Sequence, residues 1–199
     1  MTGKAPWAEE LHREGKFPLG WRNTLSNLAY AAVGLALVVH YQDQASAVLG
    51  VGMMLLATGS GLFHAYGSAK HEHARRLDWL GMMAVAGIGV GAGIVPGSIW
   101  EPVLMGFGAL VGMGMYWLNR WRSRDLWVVL ALILGSIRPV LEGHGLLVLV
   151  AWGCAGLAYL CWTLDRKQAT IVGLWGHALW HVFMAAAIGA LYVAQHSGG

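Results

Sequence analysis

Charge is what this chain has least of. Asp, Glu, Lys and Arg make up 12% of its 199 residues, about half the share of an ordinary soluble domain. Hydrophobic residues make up 57% and the mean hydropathy is +0.54. A soluble protein of this length needs a charged surface, and this chain cannot supply one. Disulfide chemistry is missing too. The two cysteines, Cys154 and Cys161, lie seven apart on one predicted helix, about 10 Å along its axis and too far for a bridge. They read as inert small core residues. A cleavable signal peptide is also absent from view, because the first ~20 residues are polar and lack an apolar core before a small-residue site. No internal repeat or low-complexity segment breaks the chain, which reads as a single domain.

What is present lies between the few charges. Twenty uncharged residues separate Arg22 from Asp43, 26 separate Asp43 from Lys70, and 22 separate Asp78 from Glu101. Eighteen separate Glu101 from Arg120, 22 separate Glu142 from Asp165, and the 32 residues after Lys167 carry no formal charge. Each stretch can cross a hydrocarbon core of ~30 Å as a helix rising 1.5 Å per residue. A seventh, weaker stretch from Leu126 to Ile137 has 12 residues before Arg138 and spans only if that side chain snorkels at its end. The fold class expected is therefore all-α: a polytopic membrane protein of seven transmembrane helices near 24–41, 46–66, 77–95, 99–118, 125–140, 144–163 and 170–194.

Charge asymmetry supports the seventh span. With seven, twelve of the 13 Lys and Arg residues fall on one side and Arg138 alone on the other. The positive-inside rule then puts the N-terminus in the cytoplasm and the C-terminus outside. The net charge of +3 is a topology signal, and nucleic acid is not an expected partner. Compact loops and a strong charge bias suit a bacterial inner membrane. Glycine runs such as Gly87–Gly93 and Gly106–Gly114 provide small faces for close helix packing. Trp7, Trp21, Trp100, Trp117, Trp121 and Trp127 sit near span ends as interfacial anchors.

Ionisable residues inside spans are expensive and need a reason. Applying the topology, Ser60, His64, Asp78, His177 and His181 all fall in the cytoplasmic half of the bilayer. His40 and His144 fall at the opposite face. His71 and His73 belong to a solvated basic loop. His177 and His181 form an i, i+4 pair, which puts two imidazoles on one helix face. His64 arrives from another span. Three histidines with one open position make a catalytic zinc arrangement, in which a bound water has its pKa lowered towards ~7. Asp78 is placed to accept or orient a proton, and Ser60 to hydrogen-bond water or an oxyanion. The alternatives are a packing role for the His pair and haem ligation, as in membrane b-type cytochromes.

Short motifs in order along the chain then resemble those of the alkaline ceramidases. Asn23-Thr-Leu-Ser-Asn27 resembles their Asn-Thr-x-Ser-Asn, and Gly59-Ser-Gly-Leu-Phe-His64 their Gly-Ser-x-x-Phe-His. Leu77-Asp78 followed by Met82 is similar to Leu-Asp-x-x-x-Met, Trp162-Thr-Leu-Asp165 to Trp-x-x-Asp, and His177-Ala-Leu-Trp-His181 to His-x-x-Trp-His. The wider superfamily, with adiponectin-receptor-like and haemolysin III-like proteins, shares the Ser, the Asp and the three His. The resemblance implies a seven-span intramembrane zinc amidase that cleaves ceramide-like membrane lipids to a long-chain base and a fatty acid. It implies zinc ligands at His64, His177 and His181, assistance from Asp78 and Ser60, and a structural role pinning the first span for Asn23, Ser26 and Asn27.

One departure stands out. Animal alkaline ceramidases carry a calcium site before and at the first span. Trp7 and Glu9 match its pattern, but Pro6, Leu11 and Gly20 replace two carboxylates and an amide. A hard-cation cage lacks its oxygen ligands there, so calcium is not expected. Two other functions compete: a lipid-binding receptor or regulatory protein of the same superfamily without efficient turnover, and a haem-binding membrane protein.

Overall fold

Asn23 shows how local chemistry sets the first element. Its carbonyl accepts the Asn27 side-chain amide at 2.6 Å and the Ser26 hydroxyl at 2.9 Å. With that carbonyl taken by side chains, the Asn27 N–H turns to the Leu25 carbonyl, and the helix is interrupted at Asn27. A short helix α1 (Trp21–Ser26) is thus followed at once by α2 (Leu28–Tyr41). Six more follow: α3 (Gln44–Tyr66), α4 (Glu72–Ile94), α5 (Glu101–Trp117), α6 (Arg124–Leu141), α7 (Gly145–Arg166) and α8 (Gly176–His196). This computed structural model describes residues 17–18, 20–66, 72–117, 124–167 and 175–197, and no strand occurs among them.

Among the described residues, five helical segments are long and apolar enough to cross a membrane: Trp21–Tyr41, Gln44–Tyr66, His73–Ile94, Gly145–Arg166 and Gly176–His196. The expected count of seven is not reached. Helix α5 has 17 residues, about 26 Å of rise. Helix α6 has 18 residues but includes Arg124, Asp125 and Arg138. These helices leave many large apolar side chains outside, among them Leu35 and Val39 on α2, Val51 and Leu55 on α3, and Leu146 and Leu149 on α7. A surface of this kind is satisfied by lipid and not by water.

Two boundaries correct the sequence reading. Helix α4 begins at Glu72, so His73, Arg75 and Arg76 lie on its first turns and not in a loop. Asp78 is in its second turn. Helix α8 begins at Gly176 with Trp175 as N-cap, which moves His177 to the first turn and His181 to the second. Runs between charges mark the apolar part of a helix, whereas backbone hydrogen bonding continues through its charged end.

Glycine lets the backbones meet. A Cβ on Gly87 or Gly91 would collide with the carbonyls of Gly108 and Leu104, and one on Gly112 with that of Met83, so α4 and α5 run antiparallel in direct backbone contact. The paired i, i+4 glycines on both helices make this a small-xxx-small interface. Gly81 against Leu56 and Gly59 against Leu77 do the same for α3 and α4. Tyr30, Leu37, Leu49, Met53, Ile88 and Met105 fill the central core. Helix α8 runs through the interior, with Ala178, Ala185, Ala187 and Ala194 buried.

A polar cluster closes the end of the bundle where α2 meets α3. Asp43 caps α3, accepting the Ser46 N–H at 2.6 Å. Glu101, in the first turn of α5, is buried and accepts the Gly97 N–H at 2.6 Å, with His196 Nε2 3.3 Å away. Arg138 turns to the end of α6, pairing with Glu142 at 2.6 Å and reaching the Pro96 carbonyl.

Candidate metal centre

At the other end of the bundle the C-terminus of α3 meets the N-termini of α1 and α8. The His64 carbonyl accepts the Gly20 N–H at 3.0 Å. A Cβ on Gly20 would stand 3.2 Å from that oxygen, so a residue without one suits the approach. The Arg22 guanidinium lies 4.8 Å from the Trp21 ring and 4.9 Å from the Trp175 ring, joining α1 to the start of α8 by cation–π contact.

His64 is in the last turn of α3, and His177 and His181 are in the first two turns of α8. All three are buried. One ring nitrogen from each lies within 4.8 Å of the others, and His64 Nε2 is 3.1 Å from His177 Nε2. Aromatic side chains back each imidazole. Trp180 stacks on His177 at 5.2 Å, Tyr30 meets His181 edge-on at 5.9 Å, and Phe63 lies 5.1 Å from His64.

The arrangement fits a metal ion. Four-coordinate ions with metal–nitrogen bonds of 2.0–2.1 Å place neighbouring ligand atoms about 3.3 Å apart, close to the 3.1 Å between the two Nε2 atoms. With all three nitrogens within 4.8 Å of one another, the third ligand closes on such an ion by a shift of up to about 1.5 Å. His181 Nε2 is buried and has no hydrogen-bond partner among the described residues, as suits a nitrogen held ready for a ligand. An all-imidazole donor set accepts zinc, copper, nickel or iron.

Ser60 and Asp78 come from the end of the bundle that carries His64 and lie outside the group of converging nitrogens. Ser60 is buried one turn before His64. Asp78 is buried on α4. A Cβ on Gly59 would sit 2.7 Å from the Leu77 carbonyl and 3.0 Å from the Asp78 nitrogen. Ser60 and Asp78 therefore share the tight seam between α3 and α4. Asp78 is not a member of the group of converging ligand atoms.

Ser26 touches the cluster itself. Its hydroxyl lies 2.7 Å from His181 Nδ1. The sequence carried a signal for this contact: Asn23, Ser26 and Asn27 are three polar side chains on an apolar span, and a buried imidazole elsewhere in the chain needs a partner. Asn23 and Asn27 are themselves buried. Of the positions compared with the animal calcium site, Pro6, Trp7, Glu9 and Leu11 lie outside the described residues, as does His71. Trp162 and Asp165 are on the last turns of α7, with Asp165 buried.

A cavity of about 360 Å³ begins beside the histidines and runs through the bundle. Tyr30 and Trp180, which touch the imidazoles, form one end, and Tyr192 and Gln195 form the other. The histidines do not line it. Its wall between α6 and α7 includes Val129, Trp152 and Tyr159, which are exposed on the outer face, so the cavity reaches the side of the bundle. Its size is that of a small-ligand site, and its lining is overwhelmingly apolar. Comparison with protein-family models, curated proteins and solved structures found no match to this chain.

Proposed function

We propose that this protein is a seven-span, zinc-dependent hydrolase of the membrane that cleaves the amide bond of ceramide-like lipids, releasing a long-chain base and a free fatty acid. The observation that carries the reading is the convergence of His64, His177 and His181 within 4.8 Å, inside an apolar bundle and next to an apolar cavity open to its side. Zinc bound there supplies a water of lowered pKa and a Lewis acid for the amide carbonyl. Asp78, across the α3–α4 seam, takes or orients the proton as the amide is attacked. Ser60 hydrogen-bonds the oxygen on which negative charge develops. The cavity holds an alkyl chain, and its side opening admits a substrate that never leaves the bilayer.

Helices α5 and α6 complete the seven spans in this reading. Arg138 lies at the end of α6, where its charge is met by Glu142 and the Pro96 carbonyl. The Lys/Arg distribution places the N-terminus and the metal centre at the cytoplasmic face of a bacterial inner membrane and the C-terminus outside. The motifs that resemble the alkaline ceramidases favour a ceramide-like substrate. Haem is disfavoured by the same convergence, since rings gathered on one point leave no slot for a porphyrin plane between them.

The test uses purified detergent-solubilised protein and ceramides of several chain lengths, with released fatty acid as the readout. The wild type is expected to carry about one zinc per chain and to release fatty acid. His177→Ala loses both, whereas Asp78→Ala keeps the metal and loses release. Equal background from wild type and variants over the whole panel refutes hydrolysis. A Soret band without zinc refutes the metal assignment.

A further inference from the structure

The Ser26 hydroxyl has one proton and two neighbours. It lies 2.9 Å from the Asn23 carbonyl and 2.7 Å from His181 Nδ1. A carbonyl oxygen only accepts, so the bond to Asn23 uses the Ser26 proton. The second contact then requires His181 Nδ1 to be the donor, with Ser26 Oγ accepting. A neutral imidazole protonated on Nδ1 carries its lone pair on Nε2. That is the nitrogen buried without a hydrogen-bond partner among the described residues. The opposite tautomer would bury an Nε2–H donor with nothing there to receive it, at a cost of about 1–3 kcal/mol.

Further contacts hold Asn23 and Ser26 in place. The Asn23 carbonyl also accepts the Asn27 amide at 2.6 Å, and the His181 ring lies within hydrogen-bond reach of the same carbonyl. Thr24 Oγ1 donates to the Gly20 carbonyl at 2.7 Å, and the Gly20 N–H donates to the His64 carbonyl. The Arg22–Trp21–Trp175 contact holds α1 against the start of α8. Helix α1 is thereby fastened to both helices that carry the histidines.

We infer that Ser26 is a positioning residue of the metal centre: oriented by the Asn23 carbonyl, it accepts the Nδ1 proton of His181 and so presents Nε2 as the ligand atom. This rests on the three-histidine reading of the site but not on the substrate. Losing an outer partner of a ligating histidine typically weakens metal affinity 10–100-fold.

The test begins with the wild type and needs no variant. Histidine-selective ¹⁵N NMR of the metal-free protein is expected to show His181 protonated on Nδ1; protonation on Nε2 overturns the inference. Zinc and cobalt(II) affinities are then measured by chelator competition for wild type, Ser26→Ala and Ser26→Thr. Ser26→Ala is expected to bind 10–100-fold more weakly and to show a mixed His181 tautomer, with Ser26→Thr restoring both. Affinity unchanged in Ser26→Ala, or unrestored by Ser26→Thr at an unchanged metal-free unfolding midpoint, overturns it. A protein that binds metal but cleaves no lipid leaves these outcomes standing. A wild type that binds no metal overturns both the functional reading and this inference.

Discussion

Gly59→Ala adds one methyl group at the seam that holds Asp78. The new Cβ would stand 2.7 Å from the Leu77 carbonyl carbon and oxygen and 3.0 Å from the Asp78 nitrogen. Carbon–carbon contact is comfortable from about 3.5 Å, so α3 and α4 must part by about 0.7 Å or more. Backbone atoms cannot swing aside as a side chain would. Such overpacking costs about 1–3 kcal/mol, while alanine's helix propensity returns up to about 1 kcal/mol. Gly153→Ala is the control, because its Cβ would meet nothing within 4 Å and only the propensity gain remains. The difference in unfolding free energy between the two variants is therefore expected to be about 1–3 kcal/mol. The functional effect is sharper. Two of the three candidate ligands, His177 and His181, are on α8 and not at this seam, so metal content should fall less than turnover. Asp78 moves by a large part of an ångström, and misplacement on that scale lowers turnover by about 10–100-fold. Zinc per chain, the unfolding midpoint and fatty-acid release are measured on the three proteins side by side. Equal midpoints for Gly59→Ala and Gly153→Ala refute the tight seam. Metal and turnover lost in the same proportion refute a separate task for Asp78.

Other expectations follow from both ends of the bundle. Chelation should lower the unfolding midpoint, because an ion held between α3 and α8 stabilises the fold by about 2.7 kcal/mol when present at one hundred times its dissociation constant; calorimetry with and without chelator checks this, and an unmoved midpoint contradicts it. Asp43→Ala removes the α3 cap and should cost about 0.5–2 kcal/mol without changing metal content. Burial pushes the Asp43 carboxyl up, but the Ser46 N–H and hydroxyl, His196 and Tyr192 outweigh it and hold it below the usual carboxylate range. Its folded pKa is thus below the unfolded value of about 3.9, so its contribution is complete above that pH and is lost as pH falls through the folded pKa. Acid unfolding of the wild type should therefore be steeper below pH ~4 than that of Asp43→Asn, and parallel curves would contradict it.

The sequence by itself determined the environment and the parts of the site. Scarce charge between long apolar runs demands helices in lipid, because each backbone amide must be satisfied within its own segment. The i, i+4 spacing of His177 and His181 places them on one helix face whatever the rest of the chain does. Glycines at Gly87, Gly91, Gly108 and Gly112 announced close packing without saying which helix meets which. Linear order could not decide the pairings of the site, because they join residues more than a hundred positions apart. Folding alone brought His64 against His177 and Ser26 against His181. It also buried Glu101 beside His196 at the far end, a pairing that no spacing along the chain announced. Hydropathy reports the preferred solvent of a segment. Which polar atom finds which partner is a matter of tenths of an ångström, and only the packed helices set distances that fine.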